Sequence, residues 1–116
     1  MDKETQIKVL LYGDPLGSAC ETLGVNHMLH HNYSDVFTVS KEEVYEYTLI
    51  HGIPQSKSIG KHSMAEGFHY YKEKGKWYTF FRERNFVFDE KIFVDDELGK
   101  KYIVDTLLKL TGTGLY

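Results

Sequence analysis

The chain has 116 residues, 17 of them acidic and 14 basic, for a formal charge of −3, with 41% hydrophobic and 15% aromatic residues. That length holds one sizeable core and is read as a single domain, 1–116, while the aromatic content excludes a disordered chain. An acidic balance without a basic tract lacks the electrostatic footprint of direct nucleic-acid binding, and no apolar run approaches the roughly 20 residues of a membrane span.

The one cysteine, Cys20, cannot close an internal disulfide, and no signal-like stretch precedes the first apolar run. A reducing compartment, the cytoplasm, is expected.

From the amino terminus, Ile7 to Gly13 reads as a short buried strand ending on the Gly-Asp-Pro turn signal. Ser18 and Glu21 have capping-box spacing and predict a helix from about Ala19 to His31, with Gly24 inside it. Asp35 to Val39 is expected to be a second strand. Ser40 to Glu43 repeats the capping-box pattern and opens a helix over Lys41 to His51, with Gly52 and Pro54 as stop signals. Gln55 to Ala65 is polar and aperiodic, a loop or irregular edge.

From Glu66 the hydrophobic period becomes two, giving a three-strand meander: GFHYYKE, the turn residues Lys74-Gly75, KWYTFFRER, a turn near Asn85, and VFDEKIFV. Trp77, Thr79 and Phe81 share one face of the middle strand, Tyr78, Phe80 and Arg82 the other, and their rings are read mainly as core. Asp95, Asp96 and Glu97 open a last helix, where the dipole favours negative charge. Leu98, Tyr102, Ile103, Thr106, Leu107 and Leu110 form its apolar stripe, and Thr111 to Gly114 end it. The fold class predicted is α+β, a mainly antiparallel sheet of four or five strands built from the amino-terminal strands and the meander, with helices packed on one face.

The order Gly75-Lys76-Trp77-Tyr78, Glu83-Arg84, Phe93, Asp95-Asp96-Glu97, Tyr102 and Leu107-Leu108, within Glu66 to Leu110, resembles one group of immunity proteins of bacterial polymorphic toxin and contact-dependent inhibition systems. Asn85 stands where that group usually has Gly, and Gly99 where its final helix usually has Ala. The resemblance implies a cytoplasmic protein that neutralises a secreted toxin domain by stoichiometric occlusion, with no catalytic residue, metal or cofactor.

Against a basic nuclease toxin, surface carboxylates would stand in for the phosphates the toxin expects. The candidates are Glu42, Glu43 and Glu46 on the second helix, Asp89 and Glu90 on the third meander strand, and Asp95 and Asp96 at the last helix start. Aromatic anchors such as Tyr45, Tyr47 or Tyr71 would supply most of the affinity.

The rival reading is a small hydrolase or metal-dependent enzyme. On a helix, Cys20, His27 and His31 lie along one side, and two histidines four apart can reach one metal, but His62 and His69 offer no diagnostic spacing to complete it. Cys20 and His27 form a nucleophile-and-base pair with no orienting partner, and Glu66, His69, Glu83 and Asp89 lie on neighbouring strands where they could converge. Gly13 to Gly17 lacks the ending of a phosphate-binding loop and is read as a turn.

Overall fold

The computed structural model describes residues 1–55 and 64–116, so the irregular segment expected over Gln55 to Ala65, with His62, lies mostly outside the described residues. Among the described residues it is an α+β protein of four α-helices and one three-stranded antiparallel sheet. Contacts divide the chain into two compact units, Met1–Pro54 with Val104–Tyr116, and Gln55–Ile103. Among the described residues no helix is long and apolar enough to cross a membrane.

The first unit opens with helix α1 (Lys3–Tyr12), where a strand was expected over Ile7 to Gly13. A short apolar run is ambiguous between helix and buried strand by pattern alone. The signal that decides it lies upstream: the Asp2 carboxylate accepts the Thr5 N–H at 2.7 Å, and Gln6, Ile7 and Leu10 then fall on one buried face.

Helix α2 (Pro15–Leu23) also departs from expectation. Its cap is Asp14, which accepts the Gly17 N–H, with Pro15 in the first helical position. Gly24, expected inside the helix, adopts the left-handed conformation at φ 69° and ends it, with the Val25 N–H bonded back to the Cys20 carbonyl.

The predicted strand over Asp35 to Val39 is absent too, and with no amino-terminal strand the sheet has three members instead of four or five. A single 3-10 turn (Tyr33–Asp35) leads into an extended segment whose Val36, Phe37 and Val39 are buried. The apolar alternation is real, but its backbone partner is a side chain: Gln6 Oε1 accepts from Thr38 N at 2.7 Å and from Val39 N at 3.2 Å.

Helix α3 (Lys41–His51) follows expectation in full, with the reciprocal Ser40–Glu43 capping box and Gly52 at its end. Helix α4 (Asp96–Lys109) gives its last turns to this unit, where Val104 and Leu108 are buried and Asp105 pairs with Lys41 and Lys109.

The second unit holds the meander: β1 (Gly67–Glu73), β2 (Lys76–Glu83) and β3 (Phe86–Phe93) in the order β1-β2-β3. Lys74 and Gly75 both have positive φ, the backbone a two-residue hairpin turn requires. At the second turn, expected near Asn85, the positive φ falls on Arg84.

One face of the sheet carries Phe68, Tyr70, Trp77, Thr79, Phe81, Phe88 and Phe93. The first turns of α4 lie on it, with Tyr102 against Phe93 and Phe68, and Gly99 against Trp77. The opposite face stacks His69 on Phe80 and Tyr71 on Tyr78. Trp77, Thr79 and Phe80 are buried, so both faces of β2 contribute core. Of the expected α4 stripe, Ile103 and Thr106 are buried and Leu98 and Leu110 exposed, while Gly99, Val104 and Leu108 are buried as well.

Candidate functional site

The predicted partner-facing residues fall into one group on each unit. On α3, Glu43 is committed to the fold: it closes the capping box and pairs with Lys3 at 2.7 Å. That ion pair, together with the Ser40 N–H, holds its carboxyl below the ordinary value. Glu42 and Glu46 are exposed and make no ion pair among the described residues. They lie one turn apart, and the same helical side continues through Leu49 and Ile50, which are 54% and 80% exposed. Tyr45 is half-buried, and Tyr47 stacks on His51 at 4.2 Å between ring centres. The outer side of α3 is thus a strip, acidic at its amino end and apolar at its carboxy end.

A cleft of about 440 Å³ opens at the start of this helix, lined by Phe37, Val39, Glu42, Leu115 and Tyr116 among others. The Tyr116 hydroxyl donates to the Val39 carbonyl at 2.9 Å, and burial raises its pKa above the ordinary value, so it remains a donor at neutral pH.

In the second unit, Asp95 caps α4 through the Leu98 N–H at 3.0 Å, and Asp89 pairs with Lys91 at 3.4 Å. Asp96 takes three donors: Lys100 at 2.8 Å, Lys72 at 2.9 Å and the Trp77 indole N–H at 2.8 Å. These bonds, Lys100 first, hold its carboxyl well below the usual carboxylate range. Glu90 is exposed and makes no ion pair among the described residues. Asp95 and Asp96 therefore have structural tasks, and among the predicted carboxylates Glu42, Glu46 and Glu90 have their charge to offer.

The Asp96 network carries a pH prediction. A carboxyl whose folded pKa lies below its unfolded value stabilises the protein fully above the unfolded value, near pH 4, and loses that contribution as pH falls toward the folded one. Thermal midpoints measured from pH 7 to pH 2 should drop below about pH 4, and Asp96→Asn should flatten the drop. A variant curve parallel to the wild-type curve would remove Asp96 from the explanation.

No family model, curated protein or solved structure matches this chain.

The Cys20, His27 and His31 constellation loses the helix it was read on. Because α2 ends at Leu23, His27 and His31 lie beyond it and are exposed, without the helical spacing that would aim both at one ion. His27 Nδ1 accepts the Leu29 N–H at 3.4 Å. Among the described residues no three His, Cys, Asp or Glu are grouped to hold a metal ion. Of the carboxylates and histidine on the meander, His69 is buried and donates from Nε2 to the Ala65 carbonyl, while Glu66 accepts the Arg84 N–H at 3.0 Å.

The residues that sequence reasoning missed are apolar. Phe86 and Phe88 on β3 are 69% and 41% exposed, more open than Tyr45 or Tyr71. The available signal was the Phe-Val-Phe alternation directly after the turn, which sets two rings on one side.

Proposed function

We propose that the chain is an immunity protein that binds a cognate secreted toxin domain, a basic nuclease, and neutralises it by stoichiometric occlusion in the cytoplasm. The observation that carries this reading is the outer strip of α3. Glu42 and Glu46 are carboxylates with no ion pair among the described residues, on the same side as exposed Leu49 and Ile50, with the cleft beside Glu42. Charge of this kind speeds encounter with a basic surface, and adjacent apolar side chains supply contact area once it has formed. The order of motifs from Gly75 to Leu108 and its resemblance to immunity proteins support the same reading.

The test is protection. The gene should lie next to one encoding a large secreted protein, and co-expression should rescue cells from that protein's toxic carboxy-terminal domain. Glu42→Gln with Glu46→Gln should slow association with this domain about tenfold at low salt and much less at high salt. Cells that die equally with and without the protein would end the proposal.

A further inference from the structure

The third strand carries a feature that neither the core nor the α3 strip uses. Thr79 pairs with Lys91 and Phe81 with Phe88, so two residues of β3, Asp89 and Glu90, stand opposite Phe80 alone. This is a β-bulge, and Asp89 takes its left-handed position at φ 52°, a place more often given to glycine. The bulge has a definite effect on side-chain direction. Strict alternation from Phe93 and Lys91 would send Phe88 and Phe86 to the opposite face, whereas the extra residue returns them to the face of Phe81. The result is a row of phenylalanines across all three strands. Phe68 lies 4.9 Å from Phe81, Phe81 lies 5.6 Å from Phe88, and Phe88 lies 6.4 Å from Phe86, between ring centres.

The charges around this row have one sign in excess. Lys91 is engaged by Asp89 and by the Tyr102 hydroxyl, and Arg82 turns to the other face over Phe80. Glu66 and Glu83 remain against Arg84, two negative charges to one positive, at the end of the sheet where Phe86, paired with Glu83, is open. A left-handed aspartate that re-aims two exposed rings beside a surplus carboxylate is a costly arrangement for a purely structural strand.

We infer that the Phe68–Phe81–Phe88–Phe86 row, with Glu83 at its rim, is the anchor for a protein segment carrying an apolar side chain between basic ones. The inference deepens the proposed function by naming a contact on the toxin that is independent of the α3 strip.

Two measurements test it together. In an NMR titration with an acetylated, amidated peptide of alternating arginine and leucine, amide shifts should concentrate at Phe68, Phe81 and Phe86 to Lys91. They should disappear in Phe86→Ala with Phe88→Ala and weaken in Glu83→Gln. Both rings are exposed, so the double variant should keep the wild-type Trp77 fluorescence. Shifts located elsewhere, or unchanged in the double variant, overturn the anchor. In the protection assay, wild-type rescue that falls at least tenfold in the double variant supports anchor and function alike, whereas full rescue by the double variant overturns the anchor and leaves the immunity reading standing. If the wild-type protein gives no rescue, the immunity reading falls and the peptide titration alone decides the anchor. Self-association abolished by the double variant would assign the row to a second copy and overturn the inference.

Discussion

Replacing Gly99 by alanine should destabilise the protein by about 2 kcal/mol, although alanine is the better helix former by about 1 kcal/mol. An added Cβ would lie 2.5 Å from Trp77 Cδ1, 2.8 Å from Cγ and 2.9 Å from Cβ. Those atoms are at the root of the side chain, so they cannot swing aside as a flexible tip could. The ring is also fixed at its far edge, where the indole N–H bonds to Asp96, one turn before Gly99 on the same helix. Either α4 lifts from the sheet or the indole moves and gives up that charge-assisted bond, and overpacking of this kind costs about 1–3 kcal/mol. Trp77 is the single tryptophan, so its emission reports directly on the contact. Urea unfolding should show a lower midpoint with an unchanged slope and a red-shifted native emission, while Lys101→Ala on the exposed side should stay within about 0.5 kcal/mol of wild type. An alanine variant as stable as wild type would mean that helix and strand are farther apart in solution than 2.5 Å implies.

The same contact shows what the sequence could reveal and what it could not. Gly99 was visible as a departure from the alanine expected there, but its reason was not, because the close approach depends on a residue 22 positions earlier, on strand β2. The meander was legible because its signals are local: period-two alternation and the Lys74-Gly75 turn act within a few residues. Helix α3 was legible for the same reason, since both halves of its capping box lie within four residues. In the amino-terminal third, local signals competed. Asp14-Pro15 was a stronger helix start than Ser18, and Gly24 was a terminator that pattern-reading left inside the helix.

The partner-facing residues were legible as a class and less so individually. Runs of carboxylates are easy to count, but only coordinates separate Asp95, spent on a helix cap, from Glu42 and Glu46, which have no ion pair among the described residues. The β3 bulge left no composition signal, and it decides which face Phe86 and Phe88 occupy.

The strand expected over Asp35 to Val39 fails to form because of one side chain, and the second large effect is expected there. Gln6 is 4% exposed and uses both ends of its carboxamide. Its oxygen accepts from Thr38 N and Val39 N, and its nitrogen donates to the Met1 carbonyl at 3.1 Å and to Thr38 Oγ1 at 3.3 Å. The segment from Phe37 to Val39 thereby obtains from a helix side chain the bonds that a neighbouring strand would have given it, which is why strand-like alternation produced no strand. Gln6→Leu keeps much of the volume and strands two backbone donors, at an expected cost of about 2–4 kcal/mol. Hydrogen exchange should accelerate at the Thr38 and Val39 amides ahead of those in β2. Gln6→Glu gives a readout that simple loss of packing would not move. Desolvation at this buried site and the facing Met1 carbonyl raise a carboxyl's folded pKa against the opposing pull of the Thr38 and Val39 N–H groups. Relative to wild type the Glu variant should therefore be least stable near pH 7 and recover as pH falls through the folded value, when the proton restores a donor toward the Met1 carbonyl. A Leu variant of wild-type stability, or a Glu variant whose deficit does not change with pH, would show that the carboxamide fills space without holding the segment.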